Sequence, residues 1–337
     1  MREEKLTNHR YTQKDIARSL GLSDMTVSRV LSGRGTVSAR TRDLVLAAVE
    51  EMGYVKNRMA GSLSSARSNQ IGVILPSMQI GIFPEVLAGI TKELEKAGYN
   101  PVVGVTDYDV NREESLVESL LSWNAAGLIV NDFVHTTRTK KLLSRAEVPV
   151  IEIMEVSGEP IDRCVGFDHG AAARALTDHL LSKGYQRIGF LGWHGTEFAA
   201  SARFSAVRGH LAARGYPIVA PNLYDAPPGV AEGRAGLIRL LEKDDKIDAV
   251  IFGNDLMAVG AVFLCQEMGW QVPGRVGVAG FGGLDIGQSL PRRLTTVRFP
   301  RYRVGQRAAR AVLNALAGQE VPRVTDLQFT LIPGETS

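Results

Sequence analysis

TQKDIARSLGLSDMTVSRVL, Thr12 to Leu31, decides how the N-terminal part of this 337-residue chain is read. Thr12 followed by Asp15 offers an N-cap oxygen and a carboxylate at N3, close to a capping box. Ile16, Ala17 and Leu20 then form one apolar helical stripe. Gly21 ends that helix, since glycine accepts the left-handed backbone of a sharp turn. Ser23 can cap a second helix with Val27, Val30 and Leu31 inward. Two short helices around a tight glycine turn form a helix-turn-helix. The second helix leaves Asp24, Met25, Thr26, Ser28 and Arg29 outward, the polar set that a recognition helix presents to base edges. On these residues alone, an ordinary pair of surface helices fits as well.

The following residues shift the balance. VSARTRDLVLAAVEEMGY reads as a third helix, capped near Ser38 or Thr41, with a stripe of Leu44, Val45, Ala48, Val49 and Met52 up to Gly53. A polar segment with Asn57, Arg58 and Leu63 follows. The ordered pieces DIA, LG, TVSRVL, EEMGY and Asn57 together resemble the DNA-binding headpiece of the LacI (lactose/galactose repressor) family. Lys56 stands where that family usually has proline, and Gly61 where it usually has arginine. The resemblance implies DNA contacts from Thr12, Asp24, Met25, Thr26, Ser28, Arg29, Asn57, Arg58 and Leu63. Residues 57–64, weak in helix formers, are expected to become helical only on DNA, with Leu63 as a minor-groove wedge.

Length and charge agree. The chain is too long for one compact core and suits two or three domains. Residues 1–68 carry twelve Lys/Arg against seven Asp/Glu, a net +5, while the remainder carries −2. A basic head on a slightly acidic body suits a polyanion at one end only. Cys164 and Cys265 lie in separate apolar contexts, as expected of reduced thiols in the cytosol. MREEKLTNHR lacks the apolar core of a secretion signal, and no apolar run reaches bilayer length, so the expected location is cytoplasmic, at the nucleoid.

Past a small, polar linker at 62–69, short apolar runs alternate with helical stretches: IGVILPS (71–77), PVVGV (101–105), GLIV (127–130) and VPVIEIM (148–154). The pattern repeats with RCVGFD, RIGFLG, DAVIFG and VGVAGF, then LTTVRF, a helix at 302–317 and a last strand near 325–332. Such alternation builds parallel sheets with helices on both faces. The expected organisation is an all-α headpiece over 1–61, a linker over 62–69 and an α/β body over 70–337. That body resembles the two-lobed, type I periplasmic-binding-protein-like effector domain of the same family. The resemblance implies three crossings between lobes, placed at Gly166–Asp168, Arg298–Pro300 and Gln328–Leu331. A ligand would sit in the cleft, beyond the carboxyl ends of the strands.

Candidate effector residues follow. Arg203, in SARF at the start of a helix, matches the family's effector-contacting arginine, and a guanidinium suits hydroxyls and carboxylates alike. In FGNDLMAVGA, Asp255 reads as a helix cap and Asn254 as facing the cleft. Asp168 divides between capping and lining, and Phe83 between a sugar-face contact and plain core. Arg301, in FPRYR, lies at a crossing. In AGFGGLDIG the family usually places aspartate where Gly282 stands; losing that carboxylate while keeping arginines favours an anionic ligand. FPEVLAGI, LLSWNAAGLIV, VGFD and GLDIGQ look most like the gluconate-utilisation repressor branch, which implies a sugar-acid effector such as gluconate or ketogluconate.

Enzyme readings lack their chemistry. No G-x-G-x-x-G follows a strand, no H-E-x-x-H or C-x-x-C occurs, and the linker serines have no nucleophile elbow. No catalytic residue, metal or cofactor is expected. The expectation is a repressor of sugar-acid catabolism that binds a palindromic operator as a homodimer, with no membrane partner. The chain ends at Ser337 without heptads for a coiled-coil tetramer. The rival from another class is a sugar-binding protein with a vestigial N-terminal segment.

Overall fold

The computed structural model describes residues 11–33, 35–55, 68–79, 81–193, 198–217, 219–224 (backbone only) and 229–337. Asn57, Arg58 and Leu63, assigned above to DNA, lie outside these residues, as does most of the 62–69 linker. The chain divides into two compact units, Met1–Ser68 and Asn69–Ser337.

The first unit holds helices α1 (Gln13–Leu20), α2 (Asp24–Ser32) and α3 (Ala39–Glu51). Thr12 caps α1 in a full capping box: the Asp15 N–H reaches Thr12 Oγ1, and Asp15 Oδ2 accepts from the Thr12 N–H at 2.8 Å. Gly21 ends α1 at φ +64°, the left-handed turn that permits the tight entry into α2. Ser23 caps α2 through the Thr26 N–H, and Ser38 caps α3 through the Thr41 N–H. Ile16, Ala17, Val27, Val45 and Ala48 form the core, with Leu20, Val30, Leu31, Val49 and Met52 packed against it. Leu44 departs from the expected stripe: it is half exposed, about 100° round the helix from the buried Val45.

The second unit is two parallel sheets. The first lobe holds β1 (Gln70–Leu75), β2 (Asn100–Val105), β3 (Gly127–Asn131), β4 (Val150–Glu155), β5 (Arg163–Phe167) and β11 (Val324–Asp326), in the order β11-β5-β4-β3-β1-β2. Its helices are α4 (Ile82–Lys96), α5 (Val110–Ser122), α6 (Thr137–Ser144) and α12 (Arg301–Leu316). The second lobe's sheet runs β7 (Val219–Tyr224), β6 (Ile188–Trp193), β8 (Ala249–Phe252), β9 (Gly277–Ala279). Its helices are α7 (His169–Ser182), α8 (Phe198–Ala212), α9 (Val230–Lys243), α10 (Asp255–Glu267) and the short α11 (Asp285–Gln288). An antiparallel pair, β10 (Thr296–Arg298) with β12 (Thr330–Ile332), is tied to this lobe through bridges Ala279–Thr295 and Gly282–Arg298.

The chain passes between lobes three times: β5 to α7 at 167–169, β10 to α12 at 298–301, and β11 to β12 at 326–330. The last passage splits what reads as one strand near 325–332, because Gln328 turns the backbone at φ +62°. The reading of the sequence leaves 215–247 unassigned, yet β7 and α9 lie there. Pro221 fits β7 only because that strand is a sheet edge, and Gly233 and Gly236 blur the helical pattern of α9. Those glycines have a packing reason. A Cβ at Gly233 would lie 1.9 Å from the Met257 carbonyl oxygen, and one at Gly260 2.0 Å from that of Val230, so α9 and α10 touch backbone to backbone. In the first lobe Gly89 and Gly305 give α4 and α12 the same reciprocal contact, at 2.2 and 1.9 Å.

Candidate functional site

The cleft between the lobes, about 780 Å³ with open solvent included, is lined from both sides at the carboxyl ends of strands. Phe83, Tyr108, Asn131, Asp132, Met154 and Glu155 come from the first lobe. Trp193, Arg203, Asn254, Met257 and Phe281 come from the second, with His169 and Phe299 at the crossings.

Arg203 is held rather than loose. Its Nη1 donates to His169 Nδ1 at 2.9 Å, and its guanidinium carbon lies 5.0 Å from the centre of the Phe281 ring. His169 Nε2 is 3.1 Å from the Met154 carbonyl oxygen. An arginine can only donate and a carbonyl can only accept, so the ring carries its proton on Nε2 and offers a lone pair at Nδ1. Burial, and then the neighbouring charge of Arg203, push the His169 pKa well below its ordinary value, which keeps the ring neutral. Phe167 and Phe299 pack around that imidazole.

The first lobe supplies acids. Asp132, just past β3 at φ +66°, accepts from the N–H of Phe133 and from the N–H of Phe198, the first residue of α8 in the other lobe. One lobe's carboxylate thus caps the helix that carries Arg203. Burial raises the Asp132 pKa against these hydrogen bonds. Beside this bridge, Phe133 meets Phe198 edge-on at 5.7 Å, and Tyr108 meets Trp193 at 4.3 Å, both pairs spanning the cleft. Glu155, fully buried, receives the N–H groups of Val156 (2.7 Å) and Ser157 (2.9 Å) on Oε1. Its Oε2 and Asn131 Oδ1 have no hydrogen-bond partner among the described residues. Burial raises the pKa of Glu155 as well.

Of the residues expected at the effector site, Phe83, Arg203 and Asn254 line the cleft. Asn254 also caps α10, its Oδ1 accepting from the Leu256 N–H at 2.7 Å. Asp255, expected as that cap, is instead fully buried behind it, bridging the Leu284 N–H and the Thr296 hydroxyl, each at 2.6 Å. Burial lifts its pKa to about 6. Asp168 and Arg301 do not line the cleft. Asp168 caps α7 through the Ala171 N–H (2.7 Å) and turns its other oxygen toward Arg174. Arg301 is occupied by the carbonyls of Gly282 (2.5 Å) and Gly283 (3.3 Å) and by Glu85 (2.8 Å), which makes it a clamp across the crossing. Gly282, at φ +137°, is not a lining residue; a Cβ there would lie 3.7 Å from Asp255, Leu284 and Ile82, the last of which lines the cleft. Arg203 is therefore the one cation on the walls, among the described residues, against two acids. Sequence reasoning missed Asn131, Asp132, Glu155 and His169; the local signal was their place at strand ends or a helix start.

The headpiece presents a separate surface. Asp24, Met25, Ser28 and Arg29 are exposed along α2, Met25 at 63%. Thr26 is half-buried, its hydroxyl 2.8 Å from that of Ser23, and Thr12 is committed to the capping box. Gln13 Nε2 donates to the Asp24 carbonyl at 3.0 Å and fixes α1 against the start of α2. Both cysteines are buried thiols, with burial pushing Cys164 up to about 12 and Cys265 up to about 11. No group of three potential metal ligands occurs among the described residues, and no described helix is long and apolar enough to cross a membrane.

Two family models match this chain: bacterial regulatory proteins of the lacI family over residues 12–57, and a periplasmic binding protein-like domain over 177–337. The chain is 37% identical over 325 residues to the HTH-type transcriptional regulator GntR of Escherichia coli K12, covering 95% of this chain and 97% of that one. A LacI-family transcriptional regulator from Silicibacter pomeroyi superposes with a TM-score of 0.92 at 38% identity, over 97% of this chain and 99% of that one. A lac repressor dimer bound to operator and an anti-inducer superposes at 0.83 and 25% identity, over 97% of this chain and 99% of the other.

Proposed function

This chain belongs to the LacI family of transcriptional repressors, and from that premise we propose that it binds a palindromic operator as a homodimer under the control of a sugar acid. Asp24, Met25, Ser28 and Arg29, exposed on α2, are the residues we assign to base edges, with Arg29 the expected donor to guanine. Dimerisation doubles the few base pairs that one headpiece reads, as the lac repressor dimer on its operator illustrates.

The observation that carries the effector class is Arg203, fixed in the cleft by a neutral histidine and an aromatic face. A positioned guanidinium favours an anion, because charge-assisted hydrogen bonds contribute about 1.5–3 kcal/mol each. Asn131, Asn254 and the aromatic lining suit the hydroxylated carbon chain. Gluconate and ketogluconate are the compounds we expect.

Calorimetric titration with gluconate and glucose tests this reading. Gluconate should bind at least tenfold more tightly than glucose, and Arg203→Ala should remove the preference. Equal affinity for acid and neutral sugar, or normal binding by the alanine variant, refutes it.

A further inference from the structure

Glu155 reaches the cleft through an irregular piece of backbone. At the end of β4, Met154 adopts φ +82°, a conformation that non-glycine residues rarely hold. The neighbouring strand makes room for it: a Cβ at Gly166 would lie 2.4 Å from the Glu155 nitrogen and 2.5 Å from the Met154 carbonyl carbon. The turn does two things at once. It sends the Met154 carbonyl to His169, and so to Arg203, and it brings both Met154 and Glu155 to the cavity wall.

Within that wall the acids differ. Asp132 has each oxygen engaged by a backbone N–H. Glu155 has Oε1 fixed by two and the Ser157 side chain beside its carboxylate, while Oε2 is buried with no hydrogen bond within normal distance among the described residues. A buried carboxyl oxygen left in that state is unfavourable unless a donor completes it. A ligand hydroxyl that reaches this wall of the cleft would supply that donor. An ionised second carboxylate has no hydrogen to donate, and against an ionised Glu155 it would face like charge at short range.

We propose that Glu155 selects for a ligand with a single carboxylate, accepting a hydroxyl from its polyol chain and rejecting the corresponding diacid. The inference rests on the reading of the cleft as a sugar-acid site. The first carboxylate goes to Arg203 on the second lobe's wall, and the hydroxyl chain to Glu155 and Asn131 on the first. No second cation lines the cavity, among the described residues, to receive another carboxylate. The ligand class is then an aldonic or ketoaldonic acid, as distinct from an aldaric one. Discrimination is built by repulsion as well as attraction.

Matched pairs that differ only at the terminal carbon test the assignment: gluconate against glucarate, and galactonate against galactarate, titrated calorimetrically into the full-length protein. The wild type should bind an aldonate at least 100-fold more tightly than its aldarate. Glu155→Gln, which keeps the shape and an Oε1 acceptor, should weaken the aldonate about tenfold and narrow the ratio to tenfold or less. Glu155→Asp, which keeps the charge, should still reject the aldarate. An unchanged ratio in Glu155→Gln, a lost ratio in Glu155→Asp, or equal binding of both acids by the wild type overturns the role of Glu155 while leaving a sugar-acid site in place. A wild type that binds no aldonate, or aldonate binding indifferent to Arg203→Ala, overturns the sugar-acid reading and this inference with it.

Discussion

At the scale of single residues, the cleft depends on a histidine whose burial disfavours its charged form. His169 accepts from Arg203 and donates to Met154, so it links the cationic wall to the backbone turn that places Glu155. His169→Phe keeps the aromatic packing of Phe167 and Phe281 but removes both hydrogen bonds. We expect effector affinity to fall about tenfold, on the order of 1–2 kcal/mol, with some loss of thermal stability because the Met154 carbonyl loses its donor. Titration and a melting curve on the same sample check this, and unaltered effector affinity would contradict it. The sequence points to this neighbourhood and misses the residue. In VGFDHG, Asp168 is the conspicuous polar side chain, but at a helix start an aspartate caps, as it does here. His169 acquires its role only from Phe167, Phe281 and Phe299, which come from three separate strand ends.

At the scale of elements, α5, β4 and the segment leading into α6 are joined through one buried imidazole. His135 Nδ1 lies 2.6 Å from Glu113 and Nε2 3.2 Å from Glu152, with no side-chain exposure. Burial pulls its pKa down, but hydrogen bonds and charge from both glutamates outweigh burial and leave it at about 9. The folded value stands above the ordinary 6.5, so its contribution is fully present below about pH 6.5 and is lost as pH rises through 9. The amount is at most about 3 kcal/mol. The melting temperature should therefore decline from pH 6.5 to 9 more steeply in the wild type than in His135→Gln; parallel profiles would contradict it. Elements of this sheet were legible because buried parallel strands read as unbroken apolar runs, as in IGVIL and GLIV. β7 and α9 were not, because Pro221 and Gly233 answer to a sheet edge and a close helix crossing that local pattern does not reveal.

At the scale of the whole molecule, two kinds of contact meet in the cleft. Covalent passages join the lobes at three places, and Asp132, Tyr108–Trp193 and Phe133–Phe198 join them across the opening. A ligand between Arg203 and the first lobe's wall adds to the second kind and so favours one lobe separation over others. A coupling of about 1–3 kcal/mol to the headpiece would change operator affinity 5- to 150-fold. The direct measurement is fluorescence anisotropy of an operator recovered by binding-site selection, titrated with full-length protein in buffer, saturating gluconate or glucose at the same concentration. The account predicts a shift of that size with gluconate, none with glucose, and none with gluconate for Arg203→Ala, whose effector-free affinity stays at the wild-type value. An equal shift with glucose, or an operator affinity indifferent to every aldonate, would contradict it.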